Sequence, residues 1–284
     1  MSASPETARV RVLGAGLDRI DRAGVARHLE DCLIEGRRCF LITANVDHLV
    51  RFQEDEMLRL AYARADLVVA DGVPLLWAAR LLGDRLPGRA AGSDLIFDLC
   101  AAAGRCGAGV FLLGGRPGVA ERAASVLVER YPGARVAGTA CPPHGFERDP
   151  EAVRALVRSV RASGADLILV GLGSPKQEVF LAEHWDDLGV KVGVGIGIAL
   201  EFLAGTLRRA PVWMQSAGLE WSWRLAQEPT RLWRRYLLRD PRFLLLVVRE
   251  AIGRGRGVDE VKTIPAGRSR PAGAEDQARR SDRC

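Results

Sequence analysis

Three stretches of the chain hold residue types that could do chemistry. Thr43-Ala44-Asn45 ends one apolar run, and its short polar side chains can hydrogen-bond a ribose, a base or a sugar hydroxyl. Asn45 or Asp47 could equally cap the helix that follows. Asp71-Gly72 ends a second run, with Pro74 in the first turn of the next helix. A carboxylate there can act as an N-cap or as a general base, and its position alone does not choose between them. The third stretch is Gly171-Leu172-Gly173-Ser174-Pro175-Lys176-Gln177-Glu178. Ser174, Pro175 and Gln177 fit N-cap, N1 and N3 of a capping box, and the glycines would let backbone N–H groups approach a phosphate. Lys176 stands out as one of only three lysines, but the loop lacks the G-K-[ST] ending of a P-loop, which argues against a nucleoside triphosphatase. Gly14-Ala15-Gly16 and Gly193-Val194-Gly195-Ile196-Gly197 are too short to indicate a dinucleotide site.

The sequence offers no metal-binding pattern and implies no cofactor. There is no Asp-x-Asp pair to hold a divalent cation against a diphosphate, and Glu54-Asp55-Glu56 reads as the solvated face of a helix. Cysteines 32, 39, 100, 106, 141 and 284 form no C-x-x-C pair and the four histidines are scattered, so zinc-ligand spacing is absent. These thiols are expected to be reduced in a cytoplasmic core. A departing nucleoside diphosphate would then need cationic side chains, a task suited to the fixed charge and forked geometry of arginine. Arg208, Arg209, Arg224, Arg231, Arg234 and Arg235 crowd one stretch, and Arg224, Arg231 and Arg234 are spaced at nearly whole helical turns. Trp213, Trp221, Trp223 and Trp233 fall among them, a mixture that suits either a membrane interface or packing onto the body.

The elements that must position these residues follow from the apolar pattern. Val10–Leu13, Cys39–Thr43, Leu67–Ala70, Val110–Leu113, Arg135–Gly138, Leu167–Val170 and Val192–Ile196 read as strands. Helical periodicity occupies Ala23–Ile34, His48–Ala63, Val73–Leu82, Leu95–Ala103, Val119–Arg130, Glu151–Arg161 and Glu178–Asp187. Continuously apolar strands alternating with helices predict an α/β fold whose parallel sheet is covered on both faces. Ligands bind beyond the carboxyl ends of such strands, where all three polar stretches fall. The alternation stops after residue 204. Helical stretches then cover Val212–Ala226, Pro229–Leu238 and Phe243–Ile252, before a Gly-, Pro-, Ser- and Arg-rich tail expected to be disordered. The predicted organisation is a body over 1–204, a helical appendage over 205–256 and a tail over 257–284.

Charge follows the same division. At roughly 150 residues per domain, 284 residues make one large domain or two small ones. Residues 1–204 carry 24 basic and 26 acidic side chains, whereas 205–284 carry 17 basic and 9 acidic. The excess charge belongs to one terminal surface, which rules out a chain that coats nucleic acid uniformly. No apolar run approaches the roughly 20 residues that span a bilayer, and Met1–Arg9 lacks a signal-peptide core.

Read as a set, several strings are family-specific. They are Thr43-Ala44-Asn45, Ala70-Asp71-Gly72-Val73-Pro74, Arg89 with Gly92-Ser93-Asp94, and Leu113-Gly114-Gly115-Arg116-Pro117-Gly118-Val119-Ala120. Gly173-Ser174-Pro175-Lys176-Gln177-Glu178, Gly193-Val194-Gly195 and Arg209-Ala210-Pro211 follow in order. Gly218-Leu219-Glu220-Trp221, Arg224, Glu228-Pro229, Arg231 and Arg234 complete the set. Over about residues 10–250 the chain resembles the TagA/WecG/CpsF family of bacterial glycosyltransferases.

The resemblance implies a Rossmann-like body of the type called GT-E and a metal-independent, inverting glycosyl transfer. Known members move N-acetylmannosamine from a UDP-sugar donor to N-acetylglucosamine on undecaprenyl diphosphate, a polyprenyl-diphosphate-linked acceptor. By motif Asp71 would be the general base, while Thr43, Asn45, Arg89 and Gln177 would line the sugar pocket. Arg224, Arg231 and Arg234 would close over the site and contact the diphosphate. In the family the appendage also promotes peripheral attachment to the inner face of the cell membrane and competes with homo-oligomerisation of the body. Two departures bear on substrate choice: Val46-Asp47-His48 follows Asn45 where members often carry Pro-Glu, and Leu200-Glu201-Phe202 replaces the common Phe-Asp-Phe. Another UDP-sugar, for capsule or exopolysaccharide, is the alternative substrate, and a non-catalytic membrane scaffold is the alternative class.

Overall fold

A computed structural model describes residues 9–255; the tail expected to be disordered, 257–284, lies outside the described residues. The strands are β1 (Val10–Val12), β2 (Ala15–Leu17), β3 (Cys39–Ala44), β4 (Leu67–Ala70), β5 (Gly109–Gly114), β6 (Arg135–Ala140), β7 (Leu167–Gly171) and β8 (Val192–Gly195). Six of them form one parallel sheet in the order β4-β3-β8-β7-β5-β6. Every residue of β3, β5 and β8 is buried, as strands covered on both faces must be.

Two apolar layers enclose the sheet. On one face Val25, Leu29, Leu95, Leu99, Ala120, Leu127 and Leu200 bring four helices against the strands: Arg22–Glu35, Gly92–Cys106, Val119–Arg130 and Ala199–Leu203. On the other, Leu49, Leu58, Leu75, Val160 and Leu181 do the same for Val46–Phe52, Glu56–Arg64, Val73–Leu81, Pro150–Ala162 and Lys176–Leu188.

Several expectations change. The first expected strand does not join the parallel sheet. Leu13 and Gly14 both take positive φ, at 51° and 81°, so the chain reverses at once and β1 pairs antiparallel with β2. The helix expected over 48–63 is two helices, because Asp55 turns its carboxylate onto Leu58 N at 3.0 Å and starts a second one. Glu54-Asp55-Glu56 is therefore a junction with a capping role, not a mid-helix face.

The segment after 205 is more broken than its periodicity implied. Helices Val212–Ser216 and Glu220–Gln227 are separated at Gly218, and Pro229–Trp233 continues into a π-helical turn, Arg234–Arg239. The last helix, Pro241–Gly255, buries Phe243 and Val247 in the same core as Leu49 and Leu75. Glu250 accepts from Leu13 N at 2.7 Å, and Arg254 donates to Leu82 O and Arg11 O. Among the described residues no helix is long and apolar enough to cross a membrane.

Candidate active site

The carboxyl ends of β3, β4, β7 and β8 open into one cleft, of about 760 Å³, roofed by the segment after residue 205. Thr43, Asn45, Asp71, Arg89, Gln177, Arg224 and Arg234 all line it. Lys176, Arg208 and Arg209 are not part of this lining, and Arg231 falls in the helix Pro229–Trp233 with its side chain outside the described residues.

Asp71 follows β4 directly. Its backbone N–H donates to Ala44 O at 2.6 Å, which fixes the residue beside the end of β3. It does not cap the helix that follows: Gly72, at φ 123°, stands at the N-cap and turns the chain into that helix without a side-chain bond. Burial pushes the Asp71 carboxyl up to about 6, and Glu220 adds to the rise. Arg224, Arg89 and the backbone N–H of Gly92 oppose it. A half-buried carboxylate of this basicity can take a proton near neutral pH.

Gln177 is aimed by its neighbours. Its Oε1 accepts from Gly197 N at 3.1 Å and its Nε2 donates to Glu178 Oε1 at 2.7 Å. A Cβ at Gly195 would lie 2.7 Å from that Nε2, so only glycine lets the amide in. The expected capping box is absent: Gln177 is engaged in the interior, and among the described residues no side chain caps the helix and buried Ser174 Oγ has no protein partner. Lys176 points away to Glu147 and does not line the cleft. Behind Gln177, burial pushes Glu178 up to about 7 and holds His48 down to about 3; His48 Nδ1 pairs with Tyr62 Oη at 3.0 Å.

Thr43 Oγ1 donates to Gly195 O at 3.1 Å, locking β3 to β8 at the cleft floor. Arg89 reaches Gln215 at 3.4 Å, Glu220 at 3.5 Å and Asp94 at 3.7 Å. Arg209 also binds Asp94, at 2.6 Å. Although burial opposes it, these guanidinium groups hold Asp94 ionised, below its ordinary value. Arg224 Nε is buried without a protein partner among the described residues.

Sequence reasoning missed the seam where roof meets body. Buried Asp47 accepts from Arg51 at 3.0 Å and Arg239 at 2.8 Å, with Arg235 at 3.9 Å. Burial works against its charge, yet these three arginines keep it below its usual pKa. Arg235 also donates to Asn45 Oδ1 at 3.1 Å, the same oxygen that caps His48 N at 3.1 Å. The i,i+4 spacing of Arg235 and Arg239 was visible in the sequence, but their carboxylate partner, almost two hundred residues earlier, was not.

The family model described as glycosyl transferase WecG/TagA/CpsF family matches residues 10–257. The chain belongs to this family. Its match covers β1 through the last helix, so the roof is part of the WecG/TagA/CpsF unit, and the chain is a glycosyltransferase. In this WecG/TagA/CpsF glycosyltransferase the cleft is lined by Asp71, whose carboxyl burial pushes up to about 6, and by Arg224 and Arg234 of the roof.

Proposed function

We propose that the enzyme transfers a hexosamine, N-acetylmannosamine, from its UDP donor to a polyprenyl-diphosphate-linked sugar, with inversion and without a divalent cation. The observation that carries this reading is a carboxylate of raised basicity at the carboxyl edge of the sheet, Asp71, facing a cleft whose roof presents Arg224 and Arg234. The other cleft carboxylate that burial raises to about 6, Asp240, belongs to the roof itself and lies 3.7 Å from Arg235. Asp71 takes the proton of the acceptor hydroxyl as that oxygen attacks the anomeric carbon. The bond from that carbon to the diphosphate oxygen breaks, and UDP leaves with the electron pair. A single displacement of this kind inverts the anomeric centre and needs one base.

Arginine supplies the charge that a metal would otherwise bring to the leaving diphosphate. Arg224, Arg231 and Arg234 take that role, and the unpartnered Nε of Arg224 supports it. Thr43, Asn45, Arg89 and Gln177 hold the sugars, with Gln177 fixed in orientation by Gly197 and Glu178. The acceptor's lipid chain keeps the reaction at a membrane. Trp213, Leu237, Leu238, Leu244, Leu245 and Ile252 are exposed on the roof segment and the last helix, beside its arginines, which suits peripheral attachment.

Product analysis with a panel of UDP-sugars and a polyprenyl-diphosphate-linked N-acetylglucosamine, with and without chelator, tests this function. The expected result is an inverted linkage formed from UDP-N-acetylmannosamine at the same rate in chelator. Transfer only from another UDP-hexose would replace the donor, and loss of transfer in chelator would overturn the arginine-only leaving-group clamp.

A further inference from the structure

Far from the cleft the fold assembles a group that the cysteine spacing did not announce. His28 and Cys32 stand one turn apart on the helix Arg22–Glu35, and Cys39 is the first residue of β3. One ligand atom from each lies within 4.8 Å of the others, the only such trio of potential metal ligands among the described residues. Both thiols are buried and His28 is half-buried, so the imidazole forms the open side of the cluster. Thr43, towards the other end of β3, lines the cleft; four residue steps of strand separate the two places by roughly 13 Å.

We propose that His28, Cys32 and Cys39 form a zinc site that ties this helix to the central sheet. Two thiols and an imidazole are a donor set that zinc favours. Tetrahedral zinc, with Zn–S of about 2.3 Å and Zn–N of about 2.0–2.1 Å, holds a nitrogen and a sulfur ligand roughly 3.6 Å apart. His28 Nε2 and Cys32 Sγ stand 3.7 Å apart, so the helix already presents them at ligand spacing.

Arg37 Nη1 donates to Cys32 Sγ at 3.4 Å. Hydrogen bonds from outer-shell N–H groups to metal-bound thiolates orient the ligand and spread its charge. Two thiolates neutralise Zn(II), their protons pass to solvent on binding, and water takes the fourth position on the His28 side. A Cys32–Cys39 disulfide would make no use of the histidine that converges with the thiols.

The test is a titration of the full chain, reduced and stripped of metal, with Co(II) and then Zn(II). A Cys284→Ser background removes the tail thiol. One equivalent of Co(II) is expected to give sulfur-to-metal charge transfer in the near ultraviolet and tetrahedral d–d bands, all erased by Zn(II). Cys32→Ser and Cys39→Ser should each weaken binding beyond the roughly 10–100-fold that a disturbed outer shell causes, while Cys141→Ser changes nothing. The spectra need only the native fold and no turnover, so they fail or succeed independently of the proposed transfer reaction. Absence of the thiolate bands in the reduced native sequence overturns the site, as does binding that survives in the Cys32→Ser/Cys39→Ser double variant. A Cys32–Cys39 disulfide recovered by peptide mapping, with no Co(II) uptake after reduction, overturns it too and assigns the pair to redox chemistry.

Discussion

Asp71 carries opposing influences: burial and Glu220 favour its proton, while Arg224 and Arg89 favour its charge. The outcome, about 6, sets a pH dependence. Only the ionised carboxylate accepts a proton, so kcat/KM should fall about tenfold per pH unit below that value and level off above it. A pH–rate profile checks this. Stability runs the other way. The folded value lies above the unfolded one, so the stabilising share of this group is complete in acid and lost as pH rises through about 6. The leaving-group side makes its own prediction: Arg234→Ala should lower the single-turnover rate on the order of 10²-fold even with a water-soluble acceptor. Full activity there would confine Arg234 to surface contact. At this scale Thr43, Asn45, Asp71 and Gln177 were legible because each follows an apolar run that becomes a sheet strand. The roles of Ser174 and Lys176 were not, because local capping rules cannot foresee that Gln177 turns inward to Gly197 and Glu178 and that Lys176 finds Glu147.

Among the elements, the π-helical turn Arg234–Arg239 joins the two halves of the site. It presents Arg234 to the cleft while Arg235 and Arg239 converge on Asp47 of the body. Removing buried Asp47 takes away the anion that Arg51, Arg235 and Arg239 share. The cost falls below the about 3–5 kcal/mol of a fully buried pair, because these partly exposed guanidinium groups still reach water. Asp47→Ala should therefore release the turn. Amide exchange over 230–240 is expected to rise by orders of magnitude while β3 and β5 stay protected, and unchanged exchange would refute the latch. The alternating pattern foretold the sheet and its two helical layers. It could not foretell the hairpin at Leu13-Gly14 or the break at Asp55, where one turn or one cap outweighs the periodicity on either side.

For the whole molecule, the basic excess lies where exposed apolar side chains also gather. Leu245 and Ile252, 66% and 51% exposed and outside the cleft lining, sit on the outer side of a helix whose Phe243 and Val247 belong to the core. Replacing both by glutamate should abolish binding to anionic liposomes yet leave transfer to a soluble acceptor intact; vesicle co-sedimentation reads the first and the transfer assay the second. Concentration of charge after residue 204 was plain in the sequence. Integration of the last helix into the body was not, because its inward pair Phe243 and Val247 reads no differently from its outward one. The central claim is that this fold brings one general base to an arginine-roofed cleft, and single-turnover transfer by Asp71→Asn tests it most directly. UDP-sugar affinity at pH 7 should hold and the melting temperature should not fall, while the rate drops roughly 10²–10⁴-fold. A near-native rate with the same affinity would contradict the account.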